Sequence, residues 1–210
     1  ATITNSFVES EDGIKVTFII NEGASTVVSE IRFEGNVIVS DKTLKSKISL
    51  KEVGFLKDGA FQRTLIEADK QSIINYYLTR GYIDARIVDV LLDSQYNAEK
   101  ERTEVVVTFI IQEGAQYTFN GLTITGNEIF TTEKLESFMK LKKGAVFNQA
   151  KFQEGISGIT NLYYENGYMD NQFYPTVNKD SERKTIAYEL TIQERSRSHI
   201  ENIIKNLTNK

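Results

Sequence analysis

From Val105 to Ile111 the larger apolar residues fall at every second position, with Val105, Val107, Phe109 and Ile111 on one face. The pattern returns at Ile186, Tyr188, Leu190 and Ile192, with Thr185, Ala187, Glu189 and Thr191 on the opposite face. A third such run, Ile14, Val16, Phe18 and Ile20, lies near the start. A period of two predicts half-buried strands. Upstream of the first two strands the apolar spacing is helical: Ile66, Ile73 and Tyr77 in one case, Phe152, Ile156, Ile159 and Tyr163 in the other. Each helical stretch runs into glycine and then tyrosine, Gly81-Tyr82 and Gly167-Tyr168, with Asp84 or Asp170 two positions on. Glycine there is the residue with which a helix end turns left-handed.

The pattern is written twice. Gly126-Asn127 follows Gly35-Asn36 by 91 residues, Phe147 follows Phe61 by 86, and Ile192 follows Ile111 by 81. Connections shorten while elements keep their spacing, as repeated modules do. The predicted order is strand, helix, helix, strand, strand, with complete units at 24–113 and 114–194. Residues 1–23 read as the closing hairpin of a preceding unit, turning at Ser10–Gly13; a lone hairpin is marginal, so it is expected to pack on a neighbour or to lack its own helices. Residues 195–210 read as a tail or the start of a further, incomplete unit.

Within the first unit, Val28, Ile31 and Phe33 lie in a strand ending at Gly35-Asn36, and Ser40 caps a short helix carrying Leu44 and Ile48. The loop LKEVGFLKDGA leads to Phe61 and the long helix that ends at Gly81. In the strand expected next, Ile83, Ala85 and Ile87 are followed by Val88, Val90 and Leu92, a phase flip that predicts a bulge or a strand apolar on both faces. Asp93 to Arg102 reads as a polar loop. Pro175, the sole proline, falls in the matching strand of the second unit and marks it as an edge.

Composition narrows the function. The net charge of −4 and pI near 5.3 speak against a nucleic-acid surface. No cysteine is present, so no disulfide or thiolate metal site exists, and no apolar run reaches the length of a membrane-spanning helix. The opening ATITNSFVES has no signal-peptide pattern. The single histidine, His199, stands in the irregular tail, and Glu99, Glu101, Asp180 and Glu182 sit in charged turns. No catalytic or metal site is expected from these. A KH-like nucleic-acid module shares the β-α-α-β order, but Gly155-Ile-Ser-Gly158 lies inside a helix rather than between two. Its glycines are expected to let a neighbouring element come close. Tyr77, Tyr82, Tyr163 and Tyr168 are expected in the core.

The set Ile31-Arg32-Phe33-Glu34-Gly35-Asn36 with Gly81-Tyr82, repeated as Leu122-Thr123-Ile124-Thr125-Gly126-Asn127 with Gly167-Tyr168, resembles the POTRA (polypeptide-transport-associated) domain. Tandem copies are similar to the arm of BamA-type assembly proteins. The resemblance implies an α+β fold of tandem β-α-α-β-β units, each a three-stranded mixed sheet with two helices on one face, the final strand central and the middle strand on an edge. It implies a non-catalytic periplasmic scaffold with unfolded outer-membrane protein clients, accessory assembly lipoproteins and an outer-membrane β-barrel in the same parent chain as partners. No cofactor, metal, nucleic acid or small-molecule substrate is expected. Arms of two-partner secretion or cell-division proteins are the alternative within that resemblance.

An exposed edge strand offers unpaired backbone groups to any extended chain. The expected peptide-binding edge comprises Ile83, Ala85, Arg86, Ile87, Val88 and Val90 in the first unit, with Phe173 and Tyr174 in the second. The first is expected to be the better acceptor, because Pro175 deletes a donor from the other.

Overall fold

The computed structural model describes residues 2–10, 13–21, 24–55 and 57–198. Proximity divides them into two compact units: those up to Ile74 with Arg86–Glu113, and Asn75–Ala85 with those from Gly114 onward. His199 and Ile200 to Lys210 lie outside the described residues, as do Glu11, Asp12, Glu22 and Gly23.

In the first unit, β1 (Thr2–Ser10) and β2 (Gly13–Asn21) form a two-stranded sheet of their own. Its side chains from Ile3 to Glu9 and from Gly13 to Ile19 are exposed, so the expected packing on a neighbour is not seen there. The main sheet takes the order β3 (Ser25–Glu34), β5 (Arg102–Gln112), β4 (Arg86–Asn97). β5 is central, parallel to β3 and antiparallel to β4. Two helices precede β4: α1 (Asp41–Lys45), capped by the Ser40 side chain as expected, and α2 (Leu65–Leu78). Ile66, Ile73, Val107 and Phe109 are all buried, and Phe33 stacks on Phe109 at 5.6 Å.

The second unit repeats this with β6 (Thr118–Thr125), α3 (Thr132–Glu136), α4 (Gln149–Glu165), β7 (Gln172–Asp180) and β8 (Thr185–Gln193). The order is β6-β8-β7, with β8 central. Phe152, Ile159 and Leu190 are buried; half-buried Tyr188 closes over them with its ring 3.8 Å from that of Phe152. Tyr77 and Tyr163 are fully buried.

Gly35-Asn36 and Gly126-Asn127 have a steric reason. Gly35 has φ +83°, and a Cβ there would meet the Ile111 carbonyl oxygen at 2.1 Å; at Gly126 the Ile192 oxygen would lie at 2.2 Å. The asparagine amide then ties the following turn, donating to Val39 O in the first unit and Phe130 O in the second. Glu113 and Glu194 complete the corner by accepting from the N–H groups of Ile38 and Val39, and of Glu128 and Ile129. Gly155 and Gly158 work by absence of volume. A Cβ on either would meet Met139 Sδ at 2.5 Å or the Phe138 ring at 2.7 Å, so the stretch after α3 presses on α4.

Three expectations about β4 and its surroundings are corrected. The strand begins at Arg86, so Ile83 and Ala85 lie in the preceding turn, Ala85 buried. The turn forms because the helix end closes first: Tyr82 N–H reaches back to Tyr77 O, and Ala85 N–H to Tyr82 O. β4 also continues through the supposed polar loop to Asn97. Those residues are exposed on both faces, so polar side chains are compatible with a strand there. Finally, α2 starts at Leu65 rather than near Phe61, because Phe61 N–H is bonded to Thr26 O beside β3.

Candidate strand-binding edge

Both β4 and β7 are outer strands. In an antiparallel pair, bonded and non-bonded residues alternate, so every second residue of an edge points its N–H and C=O outward. Along β4 the ladder slips by one between Ile87 and Asp89, leaving Val88 as the bulged residue at the predicted phase flip. Val88 is 57% exposed.

Beyond the bulge, Val90 N–H donates to the Asp89 carboxylate at 2.8 Å. Val90 therefore faces outward, and by alternation so do the backbone groups of Leu92, Ser94 and Tyr96. In β7 the residue at the same register is Pro175: Val90 pairs with Phe109 of its central strand and Pro175 with Leu190, the repeat counterpart. One edge donor is thus covered by a side chain in the first unit and absent altogether in the second.

Beside β4 the sheet edge and α2 enclose a groove of about 340 Å³ lined by Arg63, Ile66, Glu67 and Lys70 on one side and by Ile87–Val90 and Leu92 on the other. Arg86, expected to contact a ligand, instead donates twice to Gln112 Oε1, at 2.9 and 2.7 Å. Phe173 packs edge-on against Tyr163 at 5.4 Å, which makes it part of the core margin. Tyr174 is exposed and its hydroxyl bonds to Gln172. Of the predicted edge residues, the structure brings Ile87, Val88 and Val90 together at the groove. Ser94 and the α2 side chains were missed in the sequence, whose apolar phase reached only as far as Leu92.

At the far end of β4, Glu104 accepts from Arg102, Lys100 and Asn97. These donors, Arg102 foremost, lower its carboxyl to about 2. The hairpin end is pinned by charge rather than by apolar burial. Among the described residues no group of His, Asp or Glu is arranged to hold a metal ion, and no helix is long and apolar enough to cross a membrane.

The family model "Surface antigen variable number repeat" (POTRA) matches twice, at residues 26–114 and 117–195. The chain is 41% identical over 192 residues to a putative outer membrane protein assembly factor of Treponema pallidum, covering 91% of this chain and 23% of that protein. It is 27% identical to the outer membrane protein assembly factor BamA of Neisseria meningitidis, covering 86% of this chain and 23% of that protein. The chain thus spans about a quarter of the length of these curated relatives. Among solved structures, it is similar to POTRA3-5 of BamA from Haemophilus influenzae, with a TM-score of 0.63 and 26% identity over 85% of this chain and 70% of that one.

Proposed function

This chain belongs to the POTRA family, and we propose that it serves in the periplasm as a non-catalytic scaffold for outer-membrane protein assembly. Its working modules are the repeats at 24–113 and 114–194. Its clients are unfolded outer-membrane β-strands, taken up by backbone pairing at the β4 edge. Accessory assembly lipoproteins dock on the same arm, and the parent chain carries an outer-membrane β-barrel. Its similarity to outer membrane protein assembly factors supports the role.

One observation carries the choice of edge. The Val90 donor is covered only by the neighbouring Asp89 carboxylate, an exposed side chain that an incoming carbonyl displaces. The proline at the same register of β7 has no donor to uncover. Main-chain pairing then supplies affinity with little sequence demand, and the groove beside α2 selects side chains by size.

The test is Val90→Pro, which gives β4 the residue β7 carries at that position. The variant is expected to fold, since an edge proline is tolerated, and to bind a β-strand peptide about tenfold more weakly, the loss of roughly one hydrogen bond to an immobilised strand. Unchanged affinity in a folded Val90→Pro protein contradicts the assignment, as do amide shifts concentrated on residues 172–177.

A further inference from the structure

The other outer strands, β3 and β6, differ between the two copies at a single donor. In the first unit, the loop after α1 runs beside β3: Val53 N–H bonds to Val28 O, and Val28 N–H to Gly59 O. Past a register slip, Ile31 N–H points outward and is met by the Glu52 carboxylate at 2.8 Å. Lys45 of α1 holds that same oxygen at 2.7 Å. The edge is capped from within.

In the second unit the loop follows the same course, with Gly144 N–H on Phe119 O and Phe119 N–H on Ala145 O. The register slip recurs between Phe119 and Gly121. Leu122 stands where Ile31 does, paired with Tyr188 as Ile31 is with Val107. Its N–H therefore points outward too. The capping pair, however, is reversed in charge: Glu136 replaces Lys45 and Lys143 replaces Glu52. A lysine accepts no hydrogen bond, so Leu122 N–H has no side-chain cap. The five residues Gly54–Asp58, which extend the loop of the first unit, have no counterpart here. A groove of about 580 Å³ lies here, with Leu122, Met139 and Leu141 on its walls and Glu136 and Lys143 beside them; the matching groove of the first unit, about 660 Å³, holds the Lys45–Glu52 pair beside Ile31.

We infer that the β6 edge is a second strand-acceptor site, whose occupant is an extended polypeptide segment pairing through its backbone with Leu122 and Ile124. The first unit shows what covers this place: its own loop lies along the edge as far as Val28, as the second unit's does as far as Phe119, and a carboxylate oxygen of the same chain, from Glu52, meets the outward donor beyond it. In the second unit the acceptor comes from another chain. A main-chain carbonyl at Leu122 N–H fits better than a carboxylate, because Glu136 occupies the position from which Lys45 neutralises Glu52. Apolar side chains of the incoming strand enter the groove at Leu122, Met139 and Leu141. The site stands on its own geometry, apart from the β4 edge.

The test exchanges the pair. Glu136→Lys with Lys143→Glu rebuilds the cap of the first unit, so the variant is expected to cover Leu122 N–H itself. With the whole chain isotopically labelled, an end-blocked peptide of alternating threonine and valine is titrated into both proteins. The wild type is expected to show saturable amide shifts at Leu122 and Ile124. The exchanged protein, its remaining spectrum unchanged, is expected to bind there at least about tenfold more weakly, the equivalent of one buried hydrogen bond and its desolvated donor. Equal binding at Leu122 in both proteins overturns the inference. So do wild-type shifts confined to Leu92 and Ser94, which leave the β4 reading intact, and shifts at Leu122 that follow protein concentration without peptide, which assign the edge to a second copy of this chain.

Discussion

Single side chains decide which backbone donors of this protein are open. Glu52, Asp89 and Pro175 act on three of them by three different means: a carboxylate held by lysine closes one, an exposed neighbouring carboxylate covers another displaceably, and the proline removes the third hydrogen. Pro175 was legible as an edge residue that lacks a donor; the two carboxylate caps were not, since a side-chain acceptor on a backbone N–H leaves no periodic mark. The core residues were legible, because burial on one face of a strand imposes the period of two. Phe109 is the sharpest case, fully buried at the centre of β5 and stacked on Phe33. Phe109→Ala is expected to destabilise the first unit by about 3–5 kcal/mol through the cavity it leaves. Chemical denaturation showing a loss below about 1 kcal/mol would mean that this core is not organised around β5.

At the scale of elements, the joints were easier to read than the ends. The bulge at Val88 announced itself as a phase flip, and the helix ends at Gly81 and Gly167 as glycine followed by tyrosine. The β4–β5 hairpin end did not, because a strand exposed on both faces needs no apolar alternation. There the stabilising contacts are electrostatic, with Glu104 held to about 2 from an ordinary value of 4.5 by Arg102, Lys100 and Asn97. A lowered carboxyl stabilises the fold above the unfolded value and loses that contribution as pH falls through the folded one. The difference in melting temperature between the wild type and Glu104→Gln is therefore expected to shrink between pH 4.5 and about pH 2, and to shrink with added salt at neutral pH. A difference constant across that range contradicts the assignment.

For the molecule as a whole, duplication followed by divergence at the edges is the feature that bears on function. The two copies share core and corners, yet the first covers the Ile31 donor of β3 with Glu52, while the second has no donor at Pro175 of β7. On the proposed reading, with β4 and β6 as the two acceptor edges, the chain would suit a scaffold that receives strands of many sequences, since backbone pairing makes little demand on side chains. Hydrogen exchange on the whole chain, alone and with an unfolded outer-membrane β-barrel protein, tests this most directly. The account predicts new protection at Leu92 and Ser94 and at Leu122 and Ile124, with Phe173–Val177 unchanged. Protection gathered on Phe173–Val177, or on the helices with all four of those edge amides unaltered, contradicts it.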